Sequence, residues 1–203
     1  MFLVCFDLEG VFTPEVWIAV SKSTGIDELN LTTRDISDYD VLMKKRLAIL
    51  KENRITLKDI QKIISNMDLL PGAKQFLDWI RSQAQIVILT DSFIEFVVPF
   101  MKKLGYPFCC CHNLETDENG IIKDYKIRIK DMKKNTVIAF KKLNYDIIAA
   151  GDSYNDTKML LEAKYGILFR PPQNVIEEFP QFPVVNEYSE LKTLISNYLD
   201  LSD

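Results

Sequence analysis

The sequence predicts an α/β fold: a doubly wound parallel sheet with a small helical cap inserted after the first strand. Short apolar runs without helical spacing are typical of strands buried on both faces of a parallel sheet. Such runs recur at residues 2–6, 86–89, 145–150 and 165–169. The stretch from 15 to 70 instead contains successive helical patterns and no strand. We therefore expect a core domain of residues 1–14 and 71–203 and a helical cap domain of residues 15–70.

Composition limits the classes of partner. The chain has 203 residues, of which 47% are hydrophobic and 27% charged, as in an ordinary globular protein of one or two domains. A net charge of -4 without a long basic run argues against nucleic acid as a partner. The first apolar run lacks a preceding basic segment and soon reaches acidic residues, which argues against a signal peptide or a membrane span. We expect a cytoplasmic protein.

The cysteines point to the same compartment. Cys5 lies in the first apolar run, and Cys109, Cys110 and Cys111 are consecutive. Neighbouring side chains of a strand point to opposite faces, so these three cannot converge on one tetrahedral metal. His112 is the only histidine. A zinc site is therefore not expected, and the cysteines are interpreted as buried thiols in a reducing compartment.

Two carboxylates follow the first predicted strand. Asp7 comes directly after it and Glu9 two residues later, followed by Gly10. Ligands of open α/β sheets bind at the carboxyl ends of the strands, so both side chains are expected in a site. Such a pair suits a nucleophile and an acid/base. A carboxylate in this position is also commonly a turn or N-cap residue, and that alternative stays open here.

Helix signals define the predicted cap. A first helix is expected to end at Gly25. Two capping boxes follow, Ser37 with Asp40 and Thr56 with Asp59, and each precedes apolar residues at helical spacing. Helices packed over the crevice would exclude water from a site there.

Polar residues also follow the second predicted strand. Thr90, Asp91 and Ser92 come after the run 86–89, and a helix is predicted from Phe93 to its end at Gly105. A hydroxyl and a helix N-terminus at the crevice would suit an anion. Thr90 and Asp91 are also ordinary N-cap residues, which is the competing interpretation.

A hairpin and a helix with basic residues in its first turn come next. A third strand is predicted at 107–112, and the Asn119-Gly120 pair predicts a tight antiparallel hairpin. The helix that begins after Asp131 carries Lys133 and Lys134 in its first turn, where lysines oppose the helix dipole. One of them could therefore bind an anion, although a solvated lysine is the alternative.

The fourth predicted strand, 145–150, runs into Gly151-Asp152-Ser-Tyr-Asn-Asp156. Two aspartates four residues apart after a strand, with a glycine that permits a tight turn, could converge on a hard cation. Further strands are predicted at 165–169 and 183–185, before a closing helix.

Taken together, Asp7-x-Glu9, Thr90, Lys133 and the Gly151-Asp152…Asp156 group occur in an order that resembles the haloacid dehalogenase superfamily of aspartyl-phosphate phosphotransferases. The four-part match spans nearly the whole chain. Asp7-Leu-Glu9-Gly-Val, Glu15, the 39–46 helix and the 151–156 group also look like the bacterial proteins that combine phosphoserine phosphatase and homoserine phosphotransferase activity. Glu9 stands where the wider superfamily usually has aspartate, and the narrower group carries glutamate there.

The resemblance implies roles for the reacting groups. Asp7 would attack phosphorus and become an aspartyl phosphate. The Glu9 side chain would protonate the leaving oxygen and then activate water. Thr90, the backbone N–H of Asp91 and Lys133 would hold the phosphoryl oxygens.

It also implies Mg²⁺ as cofactor, held by Asp7, Asp152 and the backbone carbonyl of Glu9. Asp156 would orient the lysine or a metal-bound water. The resemblance further implies a place in amino-acid biosynthesis, that of serine in particular, and it allows a homodimer.

The implied substrate is L-phosphoserine, with L-homoserine as a possible acceptor. Tyr39, Met43 and Arg46 share one helix face. Arg46 would hold the α-carboxylate of the substrate and Glu15 its α-ammonium, while Asn155 would bind the substrate or its phosphate.

Two alternatives compete with this interpretation. A signalling receiver domain also uses a phosphorylated aspartate, a lysine and a hydroxyl, but it lacks a helical cap and has its acidic pair before a separate phospho-acceptor. A phosphatase for another small phosphometabolite differs only in substrate.

Overall fold

The computed structural model describes residues 1–32, 36 and 38–200. The described residues form seven strands: β1 Phe2–Phe6, β2 Gln85–Phe93, β3 Cys109–Thr116, β4 Ile122–Lys126, β5 Asp146–Gly151, β6 Tyr165–Phe169 and β7 Val184–Val185. They also form nine α-helices: α1 Val16–Thr24, α2 Tyr39–Glu52, α3 Leu57–Ser65, α4 Ala73–Gln83, α5 Ile94–Leu104, α6 Met132–Lys142, α7 Thr157–Glu162, α8 Gln173–Glu178 and α9 Tyr188–Tyr198.

All seven strands belong to one sheet in the order β4-β3-β2-β1-β5-β6-β7. β1 lies at its centre, between β2 and β5, and every neighbouring pair is parallel except β3 and β4. The predicted α/β fold with a mainly parallel sheet is confirmed. Because the parallel strands all end at the same edge, polar residues that come after them in sequence are brought together there.

Helices cover both faces of the sheet, as a doubly wound fold requires. Val4 and Phe6 of β1 belong to a hydrophobic cluster that includes residues of α4, α5 and α9. Leu3 and Cys5 point the other way, into a cluster with residues of α6, α7 and α8. The apolar run 2–6 is therefore continuous because each face of β1 has its own core.

The three helices between β1 and α4 pack onto the first of these cores. Trp17 of α1 contacts Phe96 of α5 edge to face, with ring centroids 5.6 Å apart. Buried residues of α1, α2 and α3 lie in the same hydrophobic cluster as Val4 and Phe6. This segment therefore shares one continuous core with the sheet.

The β3–β4 hairpin contacts the first turns of α2 and α3. The Tyr125 hydroxyl donates to Asp40 Oδ1 at 2.5 Å, and the Leu57 N–H donates to the Gly120 carbonyl at 2.9 Å. Gly120 has a φ of 79°, as the predicted Asn119-Gly120 turn requires. The predicted hairpin is confirmed, and it links the helical segment to the edge of the sheet.

Several boundaries differ from expectation. The capping box of Thr56 and Asp59 is confirmed. Ser37 of the other predicted box lies outside the described residues, and Asp38 caps α2 by accepting the N–H groups of Asp40 and Val41. β2 continues to Phe93 with a register shift against β3, so α5 begins at Ile94 and the predicted helix N-terminus does not directly follow Thr90.

The cysteine prediction is correct for two of the four thiols. Cys5 and Cys111 are buried, whereas Cys109 and Cys110 are partly exposed because β3 lies near the edge of the sheet. All four are free thiols. Within the described part of the chain, no helix combines the length and the apolar character needed to cross a bilayer.

We predict that Thr56→Ala destabilises the protein by about 1 kcal/mol, because the N-cap of α3 loses the acceptor of the Asp59 N–H. Thr193→Ala is the matched control, since Thr193 is exposed within α9 and its hydroxyl only donates to the Ser189 carbonyl. Alanine favours helix, so this control should leave stability unchanged or slightly higher. Urea unfolding measures both variants, and equal losses would contradict the capping role.

Candidate active site

The site is built from residues at or just after the carboxyl ends of three neighbouring strands and from the first turn of one helix. Asp7 follows β1, and its N–H donates to the Ala150 carbonyl of β5 at 3.0 Å. Thr90 and Asp91 lie in the last part of β2, and Asp152 follows β5. Since these strands are adjacent and parallel, their carboxyl ends meet and their polar side chains face one another.

Lys133 of α6 lies at the centre of this group. Its Nζ is 2.9 Å from Asp7 Oδ1, 2.7 Å from Asp156 Oδ1 and 3.5 Å from Asp91 Oδ2. The lysine side chain is 4% exposed. Burial alone would lower the pKa of Lys133, but the three carboxylates outweigh it and raise the pKa well above the ordinary value. The lysine is therefore a permanent cation inside an acidic pocket.

Three carboxylates form a group that could hold a metal ion. Asp7, Asp152 and Asp156 each offer an oxygen within 4.8 Å of the others. Burial, followed by the charge of Asp156, raises the pKa of Asp7 well above the ordinary value. Burial, Asp156 and Glu15 raise the pKa of Asp152 to about 8. A cation bound among them would remove this penalty on ionisation, and an all-oxygen donor set suits a hard divalent cation.

Two glycines let the carboxylates approach the backbone. Gly10 has a φ of +80°, and a Cβ built on it would lie 2.4 Å from Asp152 Cγ. A Cβ on Gly151 would lie 2.4 Å from Asp156 Cγ. Asp156 Oδ2 also accepts the N–H groups of Asp152 at 3.0 Å and Ser153 at 3.1 Å. Any side chain at either glycine would therefore displace a carboxylate of the acidic group.

Glu9 lies beside this group, next to the start of α1. Its Oε2 accepts the Val16 N–H at 2.9 Å. Burial and the neighbouring Glu15 raise the pKa of Glu9 to about 7. A carboxyl with that pKa can both give and take a proton near neutral pH, which is the requirement for general acid–base catalysis.

Thr90 and Asp91 lie near the end of β2, and Asn155 follows β5. Thr90 is buried, and its hydroxyl oxygen accepts the Ser92 N–H at 3.2 Å. Asp91 Oδ2 accepts the Asn155 side-chain amide at 2.8 Å. Burial would raise the pKa of Asp91, but Lys133 and contacts with His112 and Asn155 lower it below the ordinary value. Asp91 is therefore an anion in this site.

Arg46 lies on the buried face of α2, as the spacing with Tyr39 and Met43 predicts. Its guanidinium carbon is 4.5 Å from the centre of the Trp17 ring, and one terminal nitrogen donates to the Leu31 carbonyl at 2.7 Å. The buried Nε has no hydrogen-bond partner among the described residues. Burial lowers the pKa of Arg46 to about 10, although nearby Glu9 and Glu15 oppose that shift. Arg46 thus keeps a free donor in a buried position.

A cleft of about 860 Å³ leads to this group from the side of α6 and the β3–β4 hairpin. Tyr39, Asp91, Lys133 and Asn155 line its inner part. The Tyr39 hydroxyl donates to the Asp91 carbonyl at 3.2 Å, which joins the α2 face to the β2 end. A small polar molecule that entered the cleft would reach Lys133 and Asp91.

The structure thus brings the residues singled out from sequence into two adjoining groups. The first contains Asp7, Asp91, Lys133, Asp152, Asn155 and Asp156, and Thr90 precedes Asp91 in β2. The second contains Glu9, Glu15 and Arg46, of which Glu15 is exposed. Sequence reasoning missed His112 and Tyr125, which also line the cleft. No local pattern indicated either residue, because their approach to the cleft depends on the pairing of β3 with β2 and of β4 with β3.

Comparisons with known proteins agree with this geometry. The family model for haloacid dehalogenase-like hydrolases matches residues 3–164. The chain is 56% identical over 192 residues to phosphoserine phosphatase ThrH of Pseudomonas aeruginosa, covering 95% of this chain and 94% of that protein. It is 57% identical over 190 residues to a phosphoserine phosphatase of Pseudomonas syringae pv. tomato, covering 94% of this chain and 80% of that protein.

Solved structures share the fold at low identity. A phospho-aspartyl intermediate analogue of phosphoserine phosphatase superposes with a TM-score of 0.78 at 17% identity, covering 95% of this chain and 98% of that one. The phosphoserine phosphatase from T. onnurineus gives 0.75 at 23% identity, with coverages of 97% and 94%. With the family-model match and the two Pseudomonas relatives, the conclusion is that this chain belongs to the haloacid dehalogenase-like hydrolase family of enzymes.

Proposed function

We propose that this enzyme is a Mg²⁺-dependent phosphoserine phosphatase that works through an aspartyl phosphate on Asp7 and also transfers the phosphoryl group to L-homoserine. The observation that carries the proposal is the buried Asp7 carboxylate at the end of β1, held 2.9 Å from Lys133 Nζ. The two relatives above 50% identity, both named phosphoserine phosphatases, support the substrate.

The acidic group supports Mg²⁺ as the cofactor. Asp7, Asp152 and the backbone carbonyl of Glu9 are the proposed ligands, and Asp156 lies in the same group and orients Lys133. The raised pKa of Asp7 and Asp152 is the sign of carboxylates assembled for a cation. When bound, Mg²⁺ would offset negative charge on the nucleophile and on the phosphoryl oxygens.

The residues of the chain then divide the reaction into two steps. An Asp7 oxygen attacks phosphorus, and the bond from phosphorus to the serine oxygen breaks while Glu9 gives that oxygen a proton. Glu9 next takes a proton from water, whose oxygen attacks the same phosphorus, so that phosphate leaves and the Asp7 carboxylate is restored. Through both steps the Thr90 hydroxyl, the Asp91 N–H and Lys133 hold the phosphoryl oxygens.

Recognition of the amino acid is assigned to the second group. Arg46 Nε, which has no partner among the described residues, suits a carboxylate, which accepts charge-assisted hydrogen bonds from a guanidinium. Glu15 is exposed near Glu9 and is assigned to the α-ammonium. Asn155 reaches the cleft beside Asp91 and is assigned to the substrate or its phosphate.

The helical segment is proposed to act as a cap. Residues 15–70 form the proposed cap domain over a core of 1–14 and 71–203. The contacts of Tyr39 with Asp91 and of Tyr125 with Asp40 support this role, since they hold α2 against the end of β2 and the hairpin. Such closure would exclude bulk water from the phosphoenzyme. A cytoplasmic location and a role in serine biosynthesis complete the proposal.

The first experiment tests the reaction itself. Wild-type protein with Mg²⁺ should release phosphate catalytically from L-phosphoserine, faster than from other small phosphomonoesters in a panel. Asp7→Asn should lower kcat by more than about a thousandfold, because an amide is not an anionic nucleophile. The protein should stay folded, since the amide keeps the shape and removes one of several crowded charges. Chelation should stop phosphate release, Mg²⁺ should restore it, and Ca²⁺ should substitute poorly.

Asp68→Asn is the control for the first experiment, because the Asp68 side chain is 98% exposed and its ion pair with Lys103 involves none of the proposed reacting groups. It should keep full activity. Near-normal turnover by Asp7→Asn, once deamidation is excluded, would remove Asp7 from the mechanism. If another phosphomonoester in the panel were hydrolysed faster than L-phosphoserine, the enzyme would be a phosphatase of another specificity.

Stability should depend on pH in a way that Mg²⁺ abolishes. Folding raises the pKa of Asp152 from 3.8 to about 8 and that of Glu9 from 4.5 to about 7. At a pH between the unfolded and the folded pKa of each group, the folded state therefore binds more protons than the unfolded state does. The metal-free protein should therefore lose stability as pH rises from about 4 to about 8. We expect Tm to fall by at least about 3 °C, which corresponds to about 1 kcal/mol.

Thermal melting in chelator and in Mg²⁺ across this pH range provides the measurement. Mg²⁺ should raise Tm most at the alkaline end, and Asp152→Asn should flatten the pH dependence in chelator. A metal-free protein whose Tm rises with pH over this range would contradict the protonation states inferred for the acidic group.

Arg46→Ala should raise the KM for L-phosphoserine by about tenfold or more, while changing that for p-nitrophenyl phosphate little. The physical reason is the selective loss of a charge-assisted contact with the α-carboxylate. Arg54→Ala is the matched control, because Arg54 follows α2 on the exposed surface. Equal effects of Arg46→Ala on both substrates would show that this arginine does not bind the amino acid.

L-Homoserine should intercept the phosphoenzyme. It keeps the α-amino and α-carboxyl groups of serine, so the same residues can hold it, and Glu9 can deprotonate its hydroxyl as it would water. A held alcohol has a high effective concentration against solvent. With Mg²⁺ and L-phosphoserine, O-phosphohomoserine should appear as a fraction of product that grows with homoserine concentration, quantified beside free phosphate. If no O-phosphohomoserine forms at saturating homoserine, the transferase proposal fails and the enzyme only hydrolyses its substrate.

A further inference from the structure

His112 is the only histidine of the chain, and it is buried beside the site. It lies in β3, and its Cα pairs with that of Phe93 near the end of β2. Its Nδ1 accepts the Arg128 N–H at 3.2 Å. Because Nδ1 accepts a hydrogen bond, the ring proton belongs on Nε2. Nε2 in turn lies 3.8 Å from Asp91 Oδ1.

Asp91 is an anion where an anionic substrate is proposed to bind. Its Oδ2 accepts the Asn155 amide and lies 3.5 Å from Lys133 Nζ. Its carbonyl accepts the Tyr39 hydroxyl. His112 faces the remaining carboxylate oxygen, Oδ1. Two acceptors of Asp91 therefore hold hydrogen bonds, and His112 Nε2 faces the third from the β3 side at 3.8 Å, within ion-pair distance.

This arrangement addresses two needs of phosphate binding. Lys133 already faces the carboxylates of Asp7, Asp91 and Asp156, so a phosphate would meet a strongly negative surface. A His112 N–H that faces Asp91 Oδ1 partly offsets the negative charge of that carboxylate. The electrostatic potential at the phosphate position is then less negative. The same contact also fixes the Asp91 side chain, and with it the backbone N–H that the proposed function assigns to a phosphoryl oxygen.

We propose that His112 is a positioning residue for phosphate, which acts through the Asp91 carboxylate and touches no reacting atom. The inference rests on the proposed function for its role in turnover, but its effect on phosphate affinity stands apart from any substrate. The competing role for the ring is structural: its Nδ1 holds the segment of Arg128, which leads to Lys133.

Two amide variants separate these roles, because each keeps one ring contact. In His112→Asn the amide oxygen replaces Nδ1 as acceptor of the Arg128 N–H and the donor to Asp91 is lost. In His112→Gln the amide nitrogen takes the place of Nε2 and the donor is kept. His112→Asn should weaken binding of inorganic phosphate in Mg²⁺, measured by calorimetry, by roughly five- to tenfold, whereas His112→Gln should stay within about threefold of wild type.

The same order should hold for kinetics if the proposed function is correct. The KM for L-phosphoserine should rise in His112→Asn with a smaller change in kcat, and His112→Gln should rescue it. The reverse order, or equal losses in both variants, would overturn the proposal in favour of the Arg128 contact. Phosphate binding that follows the expected order without phosphoserine turnover would leave the inference standing and refute the proposed function.

A double-variant cycle tests whether the effect passes through Asp91. In an Asp91→Asn background the His112→Asn change should alter phosphate affinity by less than about twofold, because the carboxylate charge that His112 faces has been removed. Undiminished losses in that background would overturn the proposal.

A readout independent of stability comes from the ring itself. In untagged protein labelled with ¹⁵N-histidine, a single imidazole spectrum is expected, with the proton on Nε2 and none on Nδ1. This measurement needs no variant that could fail to fold. A ring with its proton on Nδ1 would overturn the assignment.

Discussion

The ion pairs of Lys133 are the interaction on which the site depends. One buried ammonium group is the hydrogen-bonded cation for two aspartates and lies close to a third. Removing the lysine would leave buried carboxylates without their cation, and such an uncompensated charge costs about 3–5 kcal/mol. The ends of β1, β2 and β5 and the first turn of α6 are consequently held together by charge as well as by the sheet. The glycines at 10 and 151 serve the same end, because they leave room for the carboxylates.

Much of this arrangement could be predicted from sequence, because it is a consequence of topology. Continuous apolar runs such as 2–6 indicate strands buried on both faces, and parallel strands place the residues after their carboxyl ends at one edge of the sheet. Asp7 and Asp152 follow adjacent parallel strands and meet for that reason, and Thr90 lies near the end of the neighbouring β2. Lys133 was indicated by a different signal, a basic residue in the first turn of a helix, where the dipole disfavours it. Its burial against two aspartates explains why it is tolerated there.

Other features depend on contacts between elements distant in sequence. The end of β2 was predicted at residue 89, but pairing with β3 extends it to Phe93 through a register shift. His112 gave no local signal, since an isolated histidine in a strand indicates only a polar residue. Its relation to Asp91 arises because β3 lies beside β2. The Asp38 cap of α2 was likewise missed, because Ser37 with Asp40 matches the capping-box pattern whereas Asp38 has Val41 three residues later. Local patterns therefore located the polar residues at the strand ends better than the contacts between elements distant in sequence.

The shared core of α1–α3 and the sheet affects how substrate enters the site and how product leaves it. Apolar residues of these helices and of β1 belong to one hydrophobic cluster, so lifting the helices away as a unit would expose that surface to water, at about 25 cal/mol for each Å². Small displacements are inexpensive by comparison. The lateral cleft lined by Tyr39 and Asn155 is already present. Molecules should therefore enter and leave sideways, past the hairpin, and the width of that passage rather than a large hinge motion would set how fast a product escapes.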